Sequence, residues 1–486
     1  MVVSNRLPIV LEKNAQNEWT AQPGSGGLVT ALAPVLKNRG GLWIGWPGIT
    51  DIADADLESA MAEATRTSGF NLKPVQLSEE EKQQYYNGAA NEMIWPLFHD
   101  MLGRCNFDPS YWPFYQRVNR KFAEKIVENL EGGDFIWVHD YHLMDVANEL
   151  KYLEVKDKIA FFLHIPFPSP DMFMRLPWRF DLLRSLLQYD LIGLQTMRDQ
   201  RNFIQCVRKN IRTVSVHGRG QVLSLDFSGR EVRVGAFPIS IDYRDFAATA
   251  NRNEVANKAW FIHEQLREVQ ILLGIDRLDY TKGIPERLRA FHYALTHYPE
   301  LREKVVLVQV VVPSRRKIPE YEDLKTEIEQ LVSEINGEFT RFDWVPIHYV
   351  FRSLTRTELL AYYRTSEIAL ITPLKDGMNL IAKEFCASSV EENCVLILSD
   401  FAGAAAQLQR YALMVNPHDQ RGVAQAMYRA FKMPPAERRE RMRQLRRSIN
   451  KGDIYWWVDS FLEASIARKL DSFARVDDYR PQIEVR

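Results

Sequence analysis

Residues 233–283 read RVGAFPISIDYRDFAATANRNEVANKAWFIHEQLREVQILLGIDRLDYTKG, and their pattern decides the fold. An apolar run, Arg233–Ala236, closes one series of strands. Phe237-Pro238 and a polar segment, Asp242–Lys258, interrupt the pattern, and a fresh strand, Gln270–Ile275, opens a second series. A pattern that restarts marks two domains, with the boundary near residue 240.

Upstream of this stretch, Met1–Ser4, Leu42–Trp46, Phe135–His139, Ile159–His164 and Leu191–Gln195 read as strands. Downstream, Val305–Val312, Ile347–Val350, Ile368–Thr372 and Val395–Ser399 do the same. Several are continuous apolar runs, the mark of strands covered on both faces. Helix-like segments lie between them, among them Tyr115–Leu130, Pro285–His297, Glu320–Ile335 and Thr357–Thr365. Such alternation predicts an α/β protein of parallel sheets with right-handed crossovers. The expected architecture is two Rossmann-like, doubly wound domains facing across a cleft, residues 1–240 and 241–455. Residues 456–486 are expected as a C-terminal helix returning to the first domain plus a polar, loose tail from Ala474.

Composition narrows the function classes. The 486 residues are 46% hydrophobic and 26% charged, ordinary for a globular protein. Sixty-two Lys+Arg against 63 Asp+Glu leave a net charge of −1, so overall charge favours neither nucleic acid nor a membrane surface as partner. Cys105, Cys206, Cys386 and Cys394 are scattered without CxxC spacing, which argues against a disulfide scaffold and a zinc site. Arg6 and Pro8 break the N-terminal apolar stretch before it reads as a signal peptide, and no apolar run approaches the ~18 residues of a membrane span. The expected compartment is the cytoplasm.

In open α/β sheets ligands bind beyond the carboxyl ends of strands, so the polar residues there are the candidates. Ser4-Asn5-Arg6 is followed by Pro23-Gly24-Ser25-Gly26-Gly27-Leu28, a glycine-rich loop before a helix expected over Leu28–Leu36. Its backbone N–H groups suit an anion, although the same residues also make an ordinary turn. Asp140 and His142 follow one strand and His164 another, groups suited to binding sugar hydroxyls or to acid–base work. Zinc on His139, His142 and His164 is disfavoured, because no pair has the i, i+4 spacing of a metalloprotease helix. Arg277 and Lys282, a forked donor and a point charge after Gln270–Ile275, suit a diphosphate. In Thr372–Glu384 a strand end and an Asp376-Gly377 turn lead into a helix start that favours phosphate. Glu384 lies eight residues past Asp376, about 12 Å if all of it is helical, which resembles the gap from a transferring sugar to a nucleoside ribose. Together these features suggest a nucleotide sugar. Trp46, Tyr85-Tyr86 and Trp95 offer faces for a sugar ring, and Ser314-Arg315-Arg316-Lys317 a phosphate site, though core and solvated surface are the plainer alternatives. Asp54-Ala55-Asp56 lies in a polar helix-like stretch and is discounted as a metal-binding DxD.

Nine segments in order, SNR with GSGGL, GLWIGWPG, YYNGAANEMIWPLFH, WVHDYHL, FFLHIPFPSP, RLDYTKGIPER, PSRRK, TPLKDGMNLIAKE and LSDFAGAA, resemble the trehalose-6-phosphate synthase family from residue 2 to about residue 470. The resemblance implies a retaining glycosyltransferase of GT-B architecture. Such an enzyme transfers glucose from UDP-glucose, or another nucleotide-glucose, to glucose 6-phosphate, giving α,α-trehalose 6-phosphate without a metal or other cofactor.

By the same resemblance, Gly26 and Gly27 match the loop over the donor diphosphate, and Arg277 and Lys282 the diphosphate pair. Asp376 matches the carboxylate holding the donor glucose, with Gly377, Met378, Asn379 and Leu380 in the loop whose N–H groups meet the phosphates. Glu384 matches the ribose carboxylate. Arg6, Trp46, Tyr86, Trp95 and Arg315 match the acceptor pocket, Arg6 and Arg315 facing the phosphate. Asp140 and His164 match residues around the two reacting sugars, so Asp140, His164, Arg277, Lys282 and Asp376 are the expected catalytic set. A homo-oligomer and a separate downstream phosphatase are the implied partners, because no phosphatase-like segment follows residue 470. The alternatives are a glucosylglycerol-phosphate synthase, a silent sugar-phosphate sensor and a pseudo-glycosyltransferase coupling cyclitols.

Overall fold

The computed structural model describes residues 1–14, 19–24, 27–266, 268–314, 319–470, 473 and 476–481. The chain divides into two units: Met1–Ile239 with Tyr455–Val476, and Ser240–Ile454 with Asp477–Arg486.

In the first unit the strands are β1 (Val2–Arg6), β2 (Ile9–Lys13), β3 (Trp19–Pro23), β4 (Leu42–Trp46), β5 (Asn71–Pro74), β6 (Phe135–His139), β7 (Lys158–Phe162), β8 (Leu191–Leu194), β9 (Ser215–His217), β10 (Val222–Phe227) and β11 (Arg230–Ala236). β2 and β3 form a separate hairpin, and the main sheet has the order β5-β4-β1-β6-β7-β8-β11-β10-β9. Its strands pair parallel from β5 through β11 and antiparallel at β10 and β9. The chain leaves β1 for one side through β4 and β5, then returns to the other side at β6. The order therefore reverses between β1 and β6, whose carboxyl ends carry Arg6 and Asp140.

The second unit repeats the device with β12 (Gln270–Arg277), β13 (Val305–Val312), β14 (Ile347–Phe351), β15 (Ile368–Ile371), β16 (Val395–Ser399) and β17 (Leu413–Val415). All pair parallel in the order β14-β13-β12-β15-β16-β17, the 3-2-1-4-5-6 arrangement of a doubly wound sheet. β12 and β13 are almost wholly buried, which is why they read as Val/Ile/Leu-rich runs broken only by single residues such as Gly274 and Gln309. Here the order reverses between β12 and β15, so Arg277–Lys282 and Thr372–Asp376 leave the sheet side by side.

The helix Ile454–Ile466 belongs with the first unit for a packing reason. Trp457 and Phe461 stack on Trp137 of β6 with ring centroids 5.0 and 4.5 Å away. From Asp477 the chain belongs with the second unit, where Tyr479 donates to Asp400 and the Arg480 N–H to Gln409 at 3.0 Å. This part of the expected loose tail is therefore held.

One local expectation changes, and two local elements are new. The polar segment Asp242–Lys258 is helical, as Tyr243–Ala250 and Asn253–Gln265, the first capped by Asp242 accepting from the Asp245 N–H at 3.0 Å. β2 and β3, not expected from the sequence, pair from Ile9 with Pro23 to Lys13 with Trp19. Tyr86 lies on a π-helix, Lys82–Ile94, whose spacing has no period in the usual helix or strand templates. Among the described residues no helix is long and apolar enough to cross a membrane.

Candidate active site

The reversal in the first sheet gathers the expected acceptor residues. Arg6 ends β1, exposed, with its guanidinium carbon 4.6 Å from the centroid of the Trp46 ring at the end of β4. Trp46 is fixed by its own indole N–H, which donates to the Ile49 carbonyl at 2.9 Å. Tyr86 meets Trp46 edge-on at 5.5 Å and stacks on His142 at 5.9 Å. His142 touches Tyr141, and Tyr141 packs on Trp95 at 5.6 Å. An aromatic chain thus runs from Arg6 to Trp95, with Trp46, Tyr141 and Trp95 buried and Tyr86 and His142 half-buried. Arg315 and Gly26 lie outside the described residues; Gly27 begins the helix Gly27–Arg39.

Asp140 and His164 come together across the ends of β6 and β7. The His164 backbone N–H donates to Oδ1 of Asp140 at 3.2 Å. Asp140 itself adopts φ 74° and ψ 167°, a region almost reserved for glycine. Its N–H donates to the Phe162 carbonyl at 2.8 Å and its carbonyl accepts from Leu143, so hydrogen bonds on both sides hold the strain. His139 and His164 make a direct contact, Nδ1 to Nε2, of 3.1 Å. Burial presses the His164 pKa down to about 3; burial and then the His164 charge hold His139 well below the usual histidine range. Both rings are neutral at physiological pH.

In the second unit Lys282 Nζ lies 2.6 Å from Oδ2 of Asp376, and Asn379 Nδ2 donates to the same oxygen at 3.2 Å. Asn379 also caps the helix Leu380–Ser388 by accepting from Ala382. Asp376 through Asn379 therefore precede the helix, and the expected 12 Å helical rise to Glu384 does not apply. The loop is fixed from the neighbouring strand end: Asp376 N–H donates to Phe401 O and Gly403 N–H to Asp376 O, each at 3.2 Å. A Cβ on Gly403 would strike the Gly377 carbonyl, which gives LSDFAGAA a physical reason for its glycine. Arg277 is exposed and its guanidinium has no partner among the described residues. Glu384 is half-buried and accepts from the Tyr363 hydroxyl at 2.9 Å. Burial raises its pKa, with Tyr363 and Arg356 pulling the other way.

Beneath these groups lies Arg287, which the sequence reading did not single out. It is fully buried and donates to Asp276 at 2.7 Å, to Thr372 at 3.0 Å, to Gln309 at 3.2 Å and to the Lys282 carbonyl at 3.4 Å. One guanidinium so ties together the segments that carry Arg277, Lys282 and Asp376. The only signal was an arginine in helical register on the inward side of RLDYTKGIPER.

The sequence model of glycosyltransferase family 20 matches residues 1–466. The chain belongs to glycosyltransferase family 20. This family 20 chain is 40% identical over 476 residues to the trehalose-6-phosphate synthase of Mycolicibacterium gilvum, covering 96% of this chain and 94% of the relative. It is equally similar, 40% over 470 residues with the same coverage, to that of Mycobacterium tuberculosis. Among solved structures, the UDP-forming α,α-trehalose-phosphate synthase of Burkholderia xenovorans in complex with glucose-6-phosphate superposes with a TM-score of 0.85 at 34% identity, covering 96% of this chain and 99% of that one. A trehalose-6-phosphate structure from E. coli bound with UDP-2-fluoro glucose gives a TM-score of 0.83 at 34% identity, covering 96% and 99%. The family expected from the nine segments and the α/β class with two doubly wound, GT-B-type domains are both borne out.

Proposed function

We propose that this family 20 chain is a UDP-forming α,α-trehalose-phosphate synthase, transferring glucose from UDP-glucose to glucose 6-phosphate with retention at the anomeric carbon. The observation that carries the reading is the pairing of Lys282 with Asp376 at 2.6 Å, on loops that follow β12, whose last residue is the exposed Arg277, and β15. A cation pair for a diphosphate and a carboxylate for sugar hydroxyls meet where a doubly wound sheet binds its ligand. Arg6, seated on Trp46 and beside Tyr86, supplies a cation and a ring face for a sugar phosphate. The relatives' glucose-6-phosphate and UDP-2-fluoro glucose complexes support the same two ligand classes.

On this reading Arg277 and Lys282 hold the diphosphate, Asp376 the donor glucose, Gly377 to Leu380 the phosphates and Glu384 the ribose. The family resemblance assigns Gly26 and Gly27 to the donor diphosphate, and Arg6, Arg315, Trp46, Tyr86 and Trp95 to the acceptor. The acceptor's anomeric hydroxyl attacks C1 from the face UDP leaves. The C1–O bond to UDP breaks as the new one forms, and the departing diphosphate oxygen takes the hydroxyl proton. Negative charge grows on that oxygen, so preoriented cations act selectively on the transition state. Asp140 and His164 bind the sugars without becoming covalent nucleophiles. A cytoplasmic homo-oligomer and a separate trehalose-phosphate phosphatase complete the reading, both resting on the family resemblance.

The test is UDP release from UDP-glucose with glucose 6-phosphate, with glycerol 3-phosphate, and with no acceptor. Release that needs glucose 6-phosphate, with a non-reducing disaccharide after phosphatase treatment, is expected. Release with glycerol 3-phosphate alone would move the chain to the glucosylglycerol-phosphate reading. Binding without release would make it a sensor.

A further inference from the structure

We propose that His139 is a positioning residue for sugar transfer, its Nδ1–H donating to Nε2 of His164 and so fixing the His164 tautomer whose Nδ1–H can donate to an oxygen of a bound sugar. The proposal rests on the transferase reading above and deepens it.

His139 ends β6 fully buried. Its ring packs beside Trp137 at 4.7 Å and Phe162 at 6.4 Å, and its Nε2 is buried without a hydrogen bond. The contact to His164, at 3.1 Å, is its single ring hydrogen bond. Two neutral imidazoles share one proton across such a contact, so one ring must be the donor. If His164 donated, the proton of His139 would sit on Nε2, leaving a buried N–H without an acceptor. If His139 donates, only a bare lone pair remains at Nε2. Orphaned buried N–H groups are the rarer and costlier case. The donor is therefore His139, and the tautomer of His164 follows from the bond its other nitrogen makes.

The rest of His164 is fixed as well. Its backbone N–H is held by Asp140, and its carbonyl accepts from Gln195 Nε2 at 3.3 Å. The residue is half-buried, so Nδ1 is the ring nitrogen left for a ligand. An imidazolium at this place would bring a charge whose binding to sugar oxygens changed with pH, whereas a neutral fixed donor does not. Phenylalanine would fill the His139 site as well by shape, and what it lacks is the nitrogen that orients the partner ring.

The decisive measurement is long-range 1H–15N correlation on the full chain labelled at histidine. His164 is assigned from the signals lost in His164→Gln and shifted in His139→Phe. The expected spectrum has His164 protonated at Nδ1 and bare at Nε2; protonation at Nε2 in the wild-type protein would overturn the proposal. In kinetics, His139→Phe should lower kcat by about 10- to 100-fold, the usual scale for a group that orients another. UDP affinity, read by calorimetry, should stay unchanged. His139→Asn, whose side-chain amide can donate from the Nδ1 position, should recover most of the loss. Wild-type kcat in a folded His139→Phe would also overturn it. Should that variant fail to fold, the wild-type spectrum decides alone. Absence of trehalose 6-phosphate synthesis by the wild-type protein would refute the transferase reading instead, leaving the tautomer readable.

Discussion

Lys282 and Asp376, on the loops after β12 and β15, meet at 2.6 Å with side chains only 11% and 15% exposed. On the proposed reading, the cation for the leaving phosphate is thereby aimed by the carboxylate for the transferred sugar. Asp376→Asn keeps the shape and loses the charge; it should lower kcat by about 10²- to 10³-fold, the scale for removing one preoriented polar group. Lys282→Met should weaken UDP binding as well as turnover. Steady-state kinetics with calorimetric UDP titration checks both, and near-wild-type turnover in Asp376→Ala would remove that residue from the site.

Arg287 and Asp276 form an ion pair with no exposure at all. Burial raises the Asp276 pKa, while Arg287 and Lys282 pull it back. Arg287→Met strands a buried carboxylate and should cost about 3–5 kcal/mol in denaturant unfolding. The double change Arg287→Met with Asp276→Leu should recover much of that stability. Activity should not recover with it, because the Thr372 and Lys282 segments lose their common tie. A double variant as active as wild type would reduce Arg287 to a structural role.

The strand ends were the legible part of this molecule. Val305–Val312 and Phe135–His139 read off as they stand, because strands buried on both faces are near-continuous apolar runs. The residues after them are then the candidate site, since a doubly wound sheet binds its ligand at the carboxyl ends of its strands. What stayed hidden depends on tertiary closure. The left-handed backbone of Asp140 has no sequence signature, because aspartate is tolerated there only through bonds to Phe162 and Leu143. The proton order between His139 and His164 needs their 3.1 Å contact, made by residues 25 apart. The β2–β3 hairpin has no clear strand signature, because Glu12 and Lys13 give it the polarity of a loop.

Asp145 offers a pH test away from the sugars. Its carboxylate accepts from the Ser185 hydroxyl, its Oδ2 is buried without a hydrogen bond, and burial pushes its pKa up to about 7. Between the ordinary carboxylate value, near 4, and about 7 the folded state holds a proton that the unfolded state has released. This group's contribution to stability therefore falls as pH rises through that window, by up to about 1.4 kcal/mol per pH unit. Asp145→Asn removes the term. Its stability relative to wild type should climb from pH 4 to pH 7 and level off above, as urea melts would read; a pH-independent difference would contradict the buried proton.

Gly48 is the seat of Arg6. It has φ +95°, and a Cβ built on it would overlap the guanidinium, striking Nη1 and Cζ and lying 2.7 Å from Nη2. The same guanidinium lies over the Trp46 ring, 4.6 Å from its centroid. Gly48→Ala must therefore push Arg6 off its ring and strain the backbone, so it should act as a weaker copy of Arg6→Ala. Losing a charged hydrogen bond to phosphate, worth about 1.5–3 kcal/mol, corresponds to a rise of roughly 10- to 100-fold in KM for glucose 6-phosphate. UDP-glucose binding, none of which is assigned to Arg6, should hardly move. Because both changes act on one group, the double variant should bind glucose 6-phosphate no worse than Arg6→Ala alone. Additive losses would mean that Gly48 serves the acceptor by a route other than Arg6.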